Sequence, residues 1–265
     1  MPSDRALQDE VIRALADAPY RASHDWRRRE LADPDRVERY ARFLARHFYY
    51  ERIVHFFKYS RALARVTGRA PEAVLTSPAF DALLPTLVLG SRETAMVVAR
   101  LVTAHVAAGR VSVPYLADLL RYEEAMMVVE AGPRVWRDAD SRQGAGSPKG
   151  VPAGPGEPYR PETVEGTVLL DLAYDLPTVL PKLLQSWTDV PPAPERRTKL
   201  LVARSPHGRV AVAKSDESVA AVLELADGKR TLEELARGAG LPVADLHQTL
   251  QGLVDLGAVR FSTGS

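Results

Sequence analysis

The stretch Lys199-Leu-Leu-Val-Ala-Arg-Ser-Pro-His-Gly-Arg-Val-Ala-Val-Ala213 decides how the C-terminal part of this chain is read. Two short β-rich runs flank Ser205-Pro-His-Gly208, and Gly208 can take the positive φ that a tight hairpin needs. Three helical patterns follow. Ser215 to Ala226 is capped by Ser215 or Asp216 and stopped by Asp227-Gly228. Thr231 to Arg237 opens with the capping box Thr231-Leu-Glu-Glu234 and is expected to end at Gly238. The third opens at Leu241-Pro242 and runs to Leu256, before Gly257. Residues 258–261 return as a strand, and Thr167 to Tyr174 reads as another ahead of the hairpin. Leu176–Trp187 reads as a short helix between them. Strand, hairpin, three helices and a closing strand describe a winged-helix-like unit.

Upstream the pattern is helical from Leu7 to about Trp136. Asp35 to Thr67 places Val37, Tyr40, Leu44, Phe48, Val54, Phe57, Leu63 and Val66 at steps of three and four, and reads as one long helix. Eight of the chain's 18 aromatic residues fall between Tyr40 and Tyr59. They go all round the helix, which predicts burial on more than one side or one face docked on a partner protein. Shorter helices open at Pro71, Pro78, Ser91 and Ser112. Between the two halves, residues 137–161 hold five Gly and five Pro and only Val151 as a large aliphatic. That composition reads as a linker or long surface loop. The expected organisation is α+β: an all-α helical bundle over 1–136, a Gly/Pro-rich linker over 137–161, and a winged-helix-like domain with a small antiparallel sheet over 162–265.

Composition narrows the chemistry. The 265 residues carry 35 basic and 34 acidic side chains, a formal charge of +1, and no cysteine. Disulfides, thiolate nucleophiles, iron–sulfur sites and Cys-ligated zinc are thereby excluded. The N-terminus has no apolar core of a secretory signal, and no stretch is apolar enough to span a membrane, so a cytoplasmic chain is expected. No G-x-S-x-G, P-loop or strand-borne G-x-G-x-x-G occurs. His47, Glu51 and His55 recur at four-residue steps, as a metal ladder would, but packed histidines are the commoner outcome of such spacing. Glu123-Glu124 reads as a solvated face or a buried pair with an arginine, since adjacent helical positions do not face one another. Residues 195–265 hold ten basic and nine acidic side chains, and residues 242–256 contain no Lys or Arg. A DNA-recognition helix normally needs such cations, so the alternative of a winged-helix transcriptional regulator is the weaker one. The other use of such a unit is peptide capture by strand addition. The groove would be built from Arg209, Val210 and Val212 on the second β run and Leu246, Leu250 and Leu253 on the third helix.

Three ordered segments resemble a known family. They are Arg39-Tyr-Ala-Arg-Phe-Leu-Ala-Arg-His-Phe-Tyr-Tyr-Glu-Arg-Ile53, then Val113-Pro-Tyr-Leu-Ala-Asp-Leu-Leu-Arg-Tyr-Glu-Glu124, then Val168-Leu-Leu-Asp-Leu-Ala-Tyr-Asp-Leu-Pro177 with the hairpin above and Glu217-Ser-Val-Ala-Ala-Val-Leu223. In order and spacing they are similar to the partner proteins of the multinuclear non-heme iron-dependent oxidative enzymes (HvfC-like and TglI-like). The resemblance implies a non-catalytic, metal-free subunit of a heterodimer in the biosynthesis of ribosomally made, modified peptides. Its C-terminal unit would be a peptide-recognition element that binds the leader of the precursor peptide. Its helical half would dock the enzyme, which carries the iron, through Tyr49, Tyr50, Tyr115, Tyr122 and Glu123. Neither nucleic acid nor membrane is expected as a partner.

Overall fold

The computed structural model describes residues 4–29, 33–132 and 159–263. The chain is α+β, with a helical majority and two small antiparallel sheets. It forms two compact units, Met1–Met127 with Val179–Pro192 and Val128–Thr178 with Ala193–Ser265. The expected linker lies outside the described residues up to 158. Its last three positions do not belong to a linker, because residues 159–161 open a strand. Nor are the units consecutive as expected. Residues 179–192 belong with the helices: the Trp187 ring lies 3.6 Å under the Arg65 guanidinium, and the Tyr115 hydroxyl donates to the Pro191 carbonyl at 2.8 Å.

The helical unit comprises α1 (Asp4–Ala16), α2 (Ala18–Ala22), α3 (His24–Arg27), α4 (Pro34–Phe56), α5 (Lys58–Ala62), α6 (Ala64–Thr67), α7 (Pro78–Leu83), α8 (Arg92–Ala107) and most of α9 (Leu116–Glu130). A 3-10 turn, Pro71–Thr76, precedes α7. Short polar side chains start these helices by accepting an exposed first-turn N–H. Asp17 takes that of Tyr20, Asp33 that of Arg36 and Ser91 that of Thr94. The core collects Tyr49, Ile53, Phe57, Leu63, Phe80, Val98, Val102, Leu119 and Met127, with Tyr49 and Phe80 edge-on at 6.3 Å.

The single helix expected over 35–67 is broken after Phe56. The cause is Glu123 on α9, whose carboxyl is fully buried and lies against the break. The N–H groups of Tyr59 and Ser60 donate to its Oε1 at 2.8 and 3.2 Å, and the Ser60 hydroxyl donates to Oε2. The side chain thus supplies acceptors that a continuous helix would have drawn from its own carbonyls. Burial pushes the Glu123 pKa up to about 8, against the opposing pull of its Ser60 and Tyr59 hydrogen bonds and the Lys58 charge. It is neither a solvated acid nor half of an arginine pair. Glu124, one step round the helix, faces Thr103 and Arg100 instead.

The second unit holds β1 (Tyr159–Thr163), β2 (Val168–Leu172), the start of α10 (Leu176–Leu183), β3 (Thr198–Arg204), β4 (Val210–Ser215), α11 (Glu217–Leu225), α12 (Leu232–Ala239), α13 (Val243–Leu256) and β5 (Val259–Thr263). One sheet has the order β2-β3-β4 and the other pairs β1 with β5, all antiparallel. The helices begin where sequence reading places them, with Asp216 capping Val219 and Thr231 and Glu234 completing their box. The second helix runs past Gly238, because Gly240 is the residue that turns left-handed and ends it. Leu201 and Ala203 of β3 form one core with Val222, Leu223, Leu235, Ala236, Leu246, Leu250, Leu253 and Phe261.

Candidate functional site

The β3–β4 connection sets the geometry of the sheet edge. Gly208 N–H donates to the Ser205 carbonyl at 2.8 Å, and Ser205 N–H donates to the Arg209 carbonyl at 2.8 Å. With Gly208 at φ +79, this is a type I turn closed by a glycine bulge, with Pro206 at its second position. Ser205 and Arg209 therefore form a hydrogen-bonded pair, and the alternation of an antiparallel ladder assigns every residue beyond them. Ala211, Ala213 and Ser215 turn their main-chain groups inward to Ala203, Leu201 and Lys199. Val210, Val212 and Lys214 turn theirs outward. Among the described residues β4 pairs with β3 alone, so that outward row is open. No β4 residue is buried, whereas the opposite edge strand, β2, closes Leu170 and Leu172 completely or nearly so.

The same register assigns the side chains. Directly opposed residues point to one face, and Leu201 and Ala203 point to the helical core. Ala211, Ala213 and Ser215 share that face. Val210, Val212 and Lys214 share the other, with Val202 and Leu200. On that face Lys214 Nζ lies 3.5 Å from Oδ1 of Asp175, a carboxylate with no exposed side-chain surface that Arg196 also holds. Burial works against the Asp175 charge, but the two cations outweigh it and hold its pKa below the ordinary value.

The expected groove is therefore corrected. Val210 and Val212 lie on the sheet face opposite Leu246, Leu250 and Leu253, so the two sets do not line one pocket. The three leucines are 0–3% exposed and fill the unit's own core. Arg209 is exposed at the hairpin. The side chains of β4 that face the helices are small, which sequence reading passed over in favour of the valines.

In the helical unit, α4 turns Ala41, Ala45, Tyr49, Ile53 and Phe56 inward. Its opposite face carries Tyr40 (52% exposed), Phe43 (60%), His47 and Tyr50 (41%). Their i, i+3, i+7, i+10 spacing makes one stripe. Tyr40 and Phe43 stack with ring centres 6.3 Å apart, and Phe43 and His47 stack at 6.1 Å. Exposed Arg36 and Arg39 stand at the N-terminal end of the stripe and exposed Glu51 at the other. The aromatics of α4 are thus split, one face in the core and one in water, rather than buried all round.

Of the five predicted docking residues, only Tyr50 lies on this open face. Tyr49, Tyr115, Tyr122 and Glu123 are buried within the unit, and burial raises the pKa of all three tyrosines, that of Tyr115 and Tyr122 to about 12. Sequence reading missed Tyr40, Phe43 and His47 as a set. The signal was present in Ala41 and Ala45, whose small side chains mark the side on which α4 packs closely. His47, Glu51 and His55 are exposed along the helix, and among the described residues no group of three His, Asp or Glu converges as metal ligands would. No described helix is long and apolar enough to cross a membrane. In comparisons with known proteins, no family model matches the chain and no curated protein matches it.

Proposed function

We propose that this protein is a non-catalytic subunit that captures the leader segment of a precursor peptide and presents it to an iron-dependent, peptide-oxidising partner enzyme. The observation that carries the reading is the open outer row of β4. An extended peptide laid along Val210, Val212 and Lys214 gains main-chain hydrogen bonds without disturbing the β3–β4 ladder. Side chains of the guest strand would alternate between a smooth face at Ala211 and Ala213 and a face at Val210, Val212 and the Lys214 ammonium. A three-stranded sheet followed by three helices fits a winged-helix-like peptide-recognition element, in keeping with the resemblance drawn from sequence. The non-basic third helix supports peptide over DNA as the guest.

The aromatic stripe of α4 supports the second half of the reading. Tyrosine and phenylalanine exposed in one contiguous row mark a protein interface more often than a solvated surface. We assign Tyr40, Phe43, His47 and Tyr50 as the enzyme-docking face. The chain contributes binding and the enzyme contributes iron and chemistry.

Co-expression with a candidate iron enzyme and its precursor peptide tests the reading. A stable complex, and peptide conversion that requires this chain, are expected. Equal conversion without it, together with no co-purified enzyme, would overturn the proposal.

A further inference from the structure

The helical unit contains a second feature that peptide capture and enzyme docking leave unused. A cleft of about 450 Å³ is lined by Thr67 at the end of α6, Gly68, Arg69 and Ala70 after it, Ala73 on the 3-10 turn, His105 in the last turn of α8, and Arg110 beyond it. The lining is assembled by close approach. Arg110 N–H donates to the Thr67 carbonyl at 3.3 Å, and a Cβ on the intervening Gly109 would stand 2.9 Å from that same oxygen. Glycine at 109 is what lets the end of α8 close on Thr67 and brings Arg110 to the cleft that Arg69 lines.

Both charged residues of the lining are arginines, and no carboxylate is among them. Among the described residues neither guanidinium is ion-paired. The acid of the adjoining 3-10 turn, Glu72, is engaged by Arg61 at 2.9 Å. The His105 ring makes its hydrogen bond to the Ala70 backbone, while its Nε2 is shielded from solvent and has no partner. Arg69 and Arg110 are both exposed, so two solvated guanidiniums with no carboxylate beside them face the cleft, next to a buried ring nitrogen that has no partner.

We propose that this cleft binds the oxyanion head of a small ligand, a phosphate or a carboxylate, between Arg69 and Arg110, close enough to the His105 ring for its titration to report the bound charge. Guanidinium forks match both oxyanions, so the shared chemistry is a planar or tetrahedral group with at least two charged oxygens. Binding is linked to a proton. In the empty cleft, burial and the Arg69 charge hold the His105 pKa below its ordinary value, against the hydrogen bond to Ala70. A bound anion offsets the Arg69 field at the His105 ring. Anion binding therefore raises the His105 pKa, and lower pH tightens binding. Of the two charged groups that line the cleft, Arg69 and Arg110, Arg69 is the one whose field lowers the His105 pKa.

The test is a titration of the full chain with inorganic phosphate and, separately, with succinate, at fixed ionic strength in chloride. The His105 ring resonance is followed by NMR and assigned with His105→Gln. Saturable binding is expected, with an upward shift of the His105 titration midpoint and affinity about tenfold higher per unit of that shift. Which of the two anions saturates first identifies the head group as phosphate or carboxylate. Arg69→Gln and Arg110→Gln are each expected to weaken binding about tenfold or more. Ala73→Glu, at an exposed lining position, covers the case in which the arginine variants do not fold. It supplies a carboxylate of its own, so it should raise the His105 midpoint with no anion added and abolish the response to phosphate. Shifts that never saturate and match those from chloride, or an unchanged His105 midpoint in Ala73→Glu, would overturn the proposal.

Discussion

Glu123 and Ser60, 63 residues apart in sequence, are joined inside the helical unit where α4 ends and α5 begins. The acid's folded pKa of about 8 stands above its ordinary 4.5, so the folded state holds the proton more tightly than the unfolded chain does. The stability tied to that proton is complete below about pH 4.5 and is lost as pH rises through about 8, with a slope approaching 1.4 kcal/mol per pH unit inside that window. Glu123→Gln replaces the carboxylic acid with a neutral group of the same shape. Denaturant unfolding of the variant is expected to show a flatter pH dependence over that window than the parent. Parallel curves would contradict the assignment.

Gly257 ends α13 at φ +78, and a Cβ built there would lie 2.2 Å from the Arg204 carbonyl oxygen. Neither the backbone angle nor the space tolerates a side chain. Gly257→Ala is expected to lower stability by about 2 kcal/mol or more. Gly252, inside the same helix, has open space where a Cβ would go. Gly252→Ala should instead stabilise by about 0.5–1 kcal/mol through helix propensity. Thermal unfolding of the two variants gives opposite signs if the description of α13 is right.

Proline scanning of β4 separates folding from binding. Val212→Pro removes an outward N–H and spares the β3 ladder, so the fold should persist while leader-peptide affinity falls about tenfold or more. Ala211→Pro removes an N–H that β3 uses and should destabilise the unit itself. Circular dichroism and peptide-binding isotherms on both variants read the two effects apart. Equal peptide affinity in Val212→Pro and the parent would exclude β4 as the guest's edge.

On α4, Phe43→Glu places a charge in the middle of the exposed stripe. Recovery of the enzyme in co-purification should drop about tenfold or more, with stability changed by less than about 0.5 kcal/mol. Tyr49→Ala, one face away, should do the reverse of this in stability, costing about 3–5 kcal/mol through the cavity left in the core. Intact enzyme recovery with Phe43→Glu would move the docking face elsewhere.

What sequence reading could recover follows the range of the interactions. Caps and turns are written within four residues, so Asp216, the Thr231–Glu234 box and the Ser205–Gly208 turn stand where they were expected. The break at Phe57 was not readable from α4 itself, because the carboxyl that holds it comes from α9. The first three residues of β1 read as linker from sequence for the same reason. Its Pro161 pairs with Phe261, a hundred residues on, and nothing local marks Tyr159-Arg-Pro as extended. The predicted groove failed on register. Whether Val212 shares a face with Leu250 depends on which residues of β3 it opposes, and hydrophobic pattern alone carries no such information. On α4 the abundance of aromatics concealed their phase, which only the small residues at 41 and 45 disclose.

The glycine bulge at Gly208 has one more consequence. By setting Ser205 opposite Arg209 it decides which of the alternating residues of β4 hold the sheet and which turn their main chain outward. The side chains at 210 and 212 lie on the face away from the helices, so on the peptide-capture reading they can vary with the guest, while 211 and 213 face the helical core and 214 holds the buried Asp175. If β4 is the capturing edge, a lineage could retune the guest at these two positions without passing through an unfolded intermediate.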